Sequence, residues 1–513
     1  MKTPLRCSIW FVFAFTIALL TTAHAQSEKV AAVSPVFKAG FAQRDITPDI
    51  GMEMPGNYGK AYARSVHDPC KVRAAVFDDG AKRVALVGID ALMIRRETVL
   101  AARKAIQERC GIPPAHVMIG ASHSHSSGPT GMILPAEFDH ASPLVQHLAY
   151  EKSSTADLGY LKRIENAIVD AVCLANDFRV AARCSFGSGH EGKVSFNRRL
   201  RMNSGMTWSH PGRGNPDIVG YAGPIDPEVG VIGAWDKTNR LLGVIVNFAC
   251  HATTSPSGFS ANWIYYLEQT IRGGMGTAVP VVFLQGDCGD ITQVDNLSPY
   301  EPPSGERQAQ IVGGSVGSEA VKVLLSAEPG DPGPVEARSK VWKIKRRMPD
   351  PERVKKSLEL AQKPETGVDR TEWIFAKEIV LLDAMLAEHS EEEVEVQAIQ
   401  ISPAVFISNP AELFVEFGLD LKKRSNFKLT FPVELANGSV GYVPTEEAFG
   451  AHGGGYETRL TSYSNLEITA GRQFIEAGLE LAGQMAPGKI PQPPKAPPFK
   501  APWSYGNVPP EVK

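Results

Sequence analysis

The chain has 513 residues, enough for one large core or two to three ordinary domains. Its 53 Lys and Arg against 56 Asp and Glu give a formal charge of −3, and no dense basic run breaks that balance, which excludes nucleic acid as a partner. Seven cysteines are too few, in a chain this long, to be the scaffold of the fold.

Lys2 and Arg6 precede the apolar "IWFVFAFTIALL", and "AHA" at 23–25 supplies small residues before Gln26. This is the pattern of a cleaved secretory signal over 1–25, too short and wrongly flanked for a spanning helix. Cys7 lies before the apolar stretch and cannot be the lipid-bearing cysteine of a lipoprotein. The expectation is an exported protein, periplasmic or secreted, with no transmembrane helix. Cys70, Cys110, Cys173, Cys184, Cys250 and Cys288 then remain. Cys250 and Cys288 sit at strand ends, where buried thiols are expected, and sequence does not give pairing.

Strand and helix periods alternate along the chain, which argues an α/β fold. Residues 71–92 read as a hairpin around Asp78-Asp79-Gly80, and 96–111 as a helix with a glycine stop. "AHVMIGASHSH" (115–125) is the next expected strand, and 230–254 a second hairpin turning near Asp236–Asn239. "AVPVVFLQGDCGD" (278–290) reads as a short buried strand running into a polar loop, and 305–327 as a long helix despite its glycines. Two helices are expected within 350–395, split around "KPETGV", followed by one strand in 394–414 and another in 427–444. Residues 34–485 show no composition break and read as one catalytic unit. Residues 486–513 are dense in proline and read as an extended tail.

Gly313-Gly314-Ser315-Val316-Gly317 matches G-x-S-x-G, but a nucleophile elbow needs a strand leading into a strained turn. Here the motif lies inside a helix, where its small residues suit packing. The histidines are more informative. In a regular strand His123 and His125 point to the same face. His251 ends another apolar run, "NFACHATT". A single strand-end histidine is more often structural, but open α/β sheets gather ligand sites at strand ends. Asp90, Asp287, Asp290 and Glu412 are the acidic candidates nearby, and a catalytic zinc takes about three N or O ligands plus an open position.

Several segments resemble, in order, those of the neutral/alkaline non-lysosomal ceramidase family. They are "AGFAQRDITPDIGMEMPGNYG", "HDPCKVRAAVF", "ASHSHSSGPTG", "VSFNRR", "NFACHATT", "LQGDCGDIT", "NPAELFVEFG" and "LANGSVGYVPTEEAF". Together they cover roughly residues 38–475. The resemblance implies a zinc-dependent amidase of linear amides, with ceramide or a related N-acylated lipid as substrate and access to it at a membrane surface. It places the zinc ligands on His123, His251, Glu412 and Tyr442. His125 and Arg198 then face the substrate carbonyl, His125 being the better general acid and Tyr442 the weaker, and the family's active-site serine falls on Thr292. Asp90, Asp287, Asp290 and His67 are expected only to orient ligands.

Two departures bear on substrate. An aspartate common near Asn262 is absent, and the proline-rich tail stands where relatives carry an immunoglobulin-like domain. The expected fold is a large mixed-sheet α/β domain with flanking helices, layered α/β/β/α, with its metal site at strand ends. A zinc hydrolase of a non-lipid amide or ester, or a non-catalytic lipid- or glycan-binding relative, are the alternatives.

Overall fold

Eight strands form the largest sheet, in the spatial order Val281–Gln285, Leu241–Phe248, Glu228–Asp236, Val180–His190, Lys38–Asp45, Lys71–Asp78, Arg83–Ile89, Val117–Ala121. The computed structural model from which this is read describes residues 36–506 and 508–513, so the signal over 1–25 lies outside the described residues. The central pairings are antiparallel, and the outermost pair on each side is parallel. The two expected hairpins are both present. The first turns at Asp79 and Gly80, and the second at Asp236–Asn239, with Asn239 at φ +65°.

Three apolar cores hold this sheet in place. Ile106 and Val99 of the Arg96–Cys110 helix, with Ile164, Ile168 and Val172 of the Leu158–Asp177 helix, pack under the Lys71–Ala121 strands. Trp263, Leu267 and Ile271, with Val312 and Val316, cover the strands around Leu241–Phe248. Between the halves, Phe77, Leu86 and Met118 meet Ile245, Val282 and Leu284, joined by Phe406 and Phe431. Each such fully buried side chain contributes about 1.5–3 kcal/mol over its exposed state. Phe406 and Phe431 come from a second sheet, ordered Val335–Lys345, Glu391–Ile401, Ala404–Ser408, Leu429–Val433.

Three sequence expectations change, one being that the strand expected in 427–444 stops at Val433 and only Tyr442–Val443 is extended again. The strand expected over 115–125 is shorter, since Pro114–His116 is a 3-10 turn and the strand stops at Ala121. The single strand expected in 394–414 is a hairpin, folded at Ser402 (φ +53°) and Pro403. The G-x-S-x-G segment lies inside the Gly305–Ser326 helix as expected. A side chain at Gly313 would sit 2.1 Å from the Trp263 carbonyl oxygen, so the glycines are where two helices touch. Residues 486–506 and 508–513 contain no helix or strand, with Pro491 seated on Gly330. Among the described residues no helix is long and apolar enough to cross a membrane.

Candidate metal centre

His123 and His251 leave strands on opposite flanks of the sheet, yet their ring centroids lie 4.6 Å apart. A parallel bridge between Ser124 and Ala252 joins the two strand exits. Both imidazoles are buried, and both spend Nδ1 on a backbone carbonyl, His123 on Leu92 at 2.8 Å and His251 on Ile291 at 2.9 Å. An N–H donated there fixes the tautomer and leaves Nε2 as a lone pair facing inward. These are carbonyls, so the carboxylates expected to orient the ligands do not do so. Asp90 pairs with Arg73, His67 with Asp68, Asp287 accepts from Asn409, and Asp290 accepts from Asn197 and the Val415 N–H.

Glu412 and Tyr442 arrive together, as direct partners in a two-residue parallel pairing. Glu412 Oε2 lies 3.2 Å from His123 Nε2 and 3.4 Å from His251 Nε2. Among the described residues this buried oxygen has no hydrogen-bond partner. Burial, with the Arg198 charge, pushes His251 down to about 3. A carboxylate oxygen therefore faces imidazole lone pairs with no proton to share, an arrangement that costs free energy unless a cation lies among them. The donor set of two imidazoles and one carboxylate fits such an ion. His123, His125 and His251 each offer a nitrogen, all within 4.8 Å of one another.

His125 reaches this cluster by another route than strand alternation. His123 sits at φ +59°, outside the strand, and His125 turns back so that its Nε2 lies 3.2 Å from His123 Nε2. Its other side is closed by Gly56 (φ +106°), where any Cβ would fall 2.4 Å from His125 Nδ1. Burial and the two facing imidazoles push His125 well below its ordinary range. Tyr442 is buried with its hydroxyl 3.3 Å from that of Tyr456. Burial and the Glu412 charge push its phenol well above 10.

Arg198 is buried. It donates to Glu457 Oε1 at 2.8 Å and to the Gly289 carbonyl at 2.6 Å, and its Nη1 lies 3.2 Å from His251 Nε2. Its guanidinium lies over Tyr442 and Tyr456, 5.5 and 5.1 Å from the ring centroids. Sequence reasoning missed Glu457 and Tyr456, which carry no motif and are recognisable only by what they hold. Thr292 is buried in the short strand paired with Phe196–Asn197, and its hydroxyl bonds to Gln293 rather than to the histidines. Asn262 caps the Trp263–Met275 helix and accepts from the Thr254 hydroxyl.

His123, His125, Glu412 and Tyr442 line a cavity of about 1060 Å³. Its lining includes the apolar Leu92, Met93, Ile133, Leu134, Phe138 and Phe375. It also includes the charged Arg95, Lys343, Arg346 and Glu391–Glu393, with His389.

No family model matches the chain. It is 29% identical over 290 residues to the neutral ceramidase of Pseudomonas aeruginosa, an alignment taking in 52% of this chain and 38% of that relative's length. The crystal structure of neutral ceramidase from that organism superimposes with a TM-score of 0.64 at 19% identity, covering 89% of this chain and 76% of the other. A ceramidase complexed with C2 superimposes with the same score over 90% of this chain and 77% of that one.

Proposed function

We propose that this relative of neutral ceramidase, whose fold it shares, is a zinc-dependent amidohydrolase that cleaves the amide of an N-acylated lipid such as ceramide. The observation that carries the reading is the buried Glu412 oxygen without a donor, facing two imidazoles at the wall of a largely apolar cavity. His123, His251 and Glu412 would hold the ion, with Tyr442 beside them. Zinc, when bound, supplies a Lewis acid and a water acidic enough to ionise near neutral pH.

The remaining roles belong to the chain. The apolar lining takes the acyl and alkyl parts of the substrate and keeps bulk water from the amide. His125, with Nε2 at the cluster and unprotonated at rest, is placed to hydrogen-bond the substrate carbonyl, to take up the proton that the attacking water loses and to pass it to the leaving amine. The Tyr442 hydroxyl, kept protonated by its surroundings, is a second donor for the developing negative charge. Arg198 is tied by Glu457 and the Gly289 carbonyl, so it acts as a fixed charge beside His251 and Tyr442. Nothing in its bonds gives Thr292 a part in the chemistry.

The charged lining of the cavity favours a second reading, an N-acyl compound with a charged head in place of a sphingoid chain. Metal analysis of the purified protein, with hydrolysis of a fluorescent N-acylsphingosine and of N-acyl amino acids measured side by side, tests both. Bound zinc with turnover of the first supports the lipid reading; turnover of the second alone replaces it. A protein without metal and inactive on both sinks the enzyme reading. Export remains part of the proposal, and alkaline phosphatase fusion to residues 1–25 tests it.

A further inference from the structure

Away from the cavity, the C-terminus of the Arg96–Cys110 helix meets the Leu158–Asp177 helix through two polar bridges. Arg109 Nη1 donates to Asp170 Oδ1 at 2.7 Å. Arg83 Nη1 donates both to the Cys110 carbonyl and to Asn176 Oδ1, at 2.9 Å each. Asp170, Cys173 and Asn176 follow one another at three-residue steps, so they lie along one face of their helix. The bridges therefore bracket Cys173 and set Cys110 opposite it. Both residues adjoin the same core, with Ile106, Val169 and Val172 around them. The Cys110 thiol donates to the Ile106 carbonyl at 3.3 Å, and burial pushes the Cys173 thiol up to about 12, with the neighbouring Cys110 thiol adding to the rise. Cys110 is half-buried, so a reagent in solution can reach it, whereas Cys70, Cys184, Cys250 and Cys288 are buried like Cys173.

We propose that Cys110 and Cys173 are a disulfide site that ties these two helices together. The oxidant is a disulfide of low molecular weight or of a thiol oxidoreductase. The Cys110 thiolate attacks one sulfur of it and displaces the other as a thiol. The Cys173 sulfur then attacks Cys110 of the mixed disulfide and releases the second thiol. One S–S bond forms in the protein and one is broken in the oxidant, and the two protons leave on the reduced thiols. The bond closes the chain over residues 110–173 and so restricts the unfolded state. It is independent of the amidase reading.

The test treats the reduced full-length protein with oxidised glutathione at pH 8, followed by non-reducing peptide mapping and thermal unfolding. A linked peptide containing Cys110 and Cys173 is expected, with Tm raised by about 5 °C. Cys110→Ser and Cys173→Ser should each abolish both the linked peptide and the rise, while leaving metal content unchanged. Two freely alkylated thiols, a glutathione adduct left standing on Cys110, or a bridge at Cys250–Cys288 instead would overturn the proposal. So would a cross-link that forms but lowers Tm.

Discussion

Ser124 and Ala252 pair across a single parallel bridge, and the adjoining His125 N–H donates to the Ala252 carbonyl at 3.1 Å. This short contact is what brings imidazoles from opposite flanks of an eight-stranded sheet to within bonding distance of one ion. It also separates their roles, because His123 and His251 precede the paired residues and His125 follows.

The three histidines should therefore part company under mutation. His123→Ala and His251→Ala are expected to lose both bound metal and turnover. His125→Ala is expected to keep the metal and to lower kcat by about 10²–10⁴-fold. Elemental analysis beside initial rates reads both. Loss of metal from His125→Ala would make it a third imidazole ligand, which its distance to the others allows.

Gly56→Ala probes the same division from outside the ligand set. The new methyl would overlap His125 Nδ1, and the backbone at φ +106° resists any side chain. A displaced His125 should leave metal content intact and cut kcat by about 10²-fold. Wild-type kcat in a folded Gly56→Ala protein would count against a role for His125 in turnover.

Glu457 is fully buried and is the carboxylate partner of Arg198. Glu457→Gln keeps the shape and removes the charge, stranding a buried guanidinium, which should cost about 3–5 kcal/mol of stability. Denaturant unfolding measures this. A loss under about 1 kcal/mol would mean the Arg198 charge is compensated by the tyrosines and Gly289.

Asp287 gives a pH dependence with a defined sign. Burial raises its carboxyl from 3.8 to about 7, so between those values the folded chain holds a proton that the unfolded chain has released. Stability is then highest at the acid end of that window and falls as pH climbs to about 7, by roughly 2–4 kcal/mol for this group. Glu434, also raised by burial, acts in the same direction. Unfolding curves at pH 5 and pH 8 should show a smaller difference for Asp287→Asn than for wild type. Equal differences would remove Asp287 as a source of the slope.

The hairpins, the two long helices and the buried strand before "QGDCGD" are legible in sequence because each is written within a short window by period and turn residues. Ser402-Pro403 was missed as a turn because apolar residues flank it closely on both sides. The approach of His123 to His125 was expected, but for a reason that does not hold, since a left-handed residue breaks the alternation at that point. His123, His251 and Glu412 came from the register of dispersed motifs. Glu457, Tyr456 and Gly56 belong to loops whose only signal is spatial, so no window of sequence contains them.

The pairing of Glu412 with Tyr442 has a consequence for how the molecule is made. The imidazoles belong to the first half of the chain, and the carboxylate joins them from a segment that pairs with Tyr442 and Val443 and bonds back to Gly289 and Asp290. Contacts of such long range are slow to close, and loop entropy has to be overcome before they give anything back. An ion held there would therefore have little hand in starting the fold. Its uptake would follow long-range closure and serve as a stamp of completion, one that partly folded chains lack.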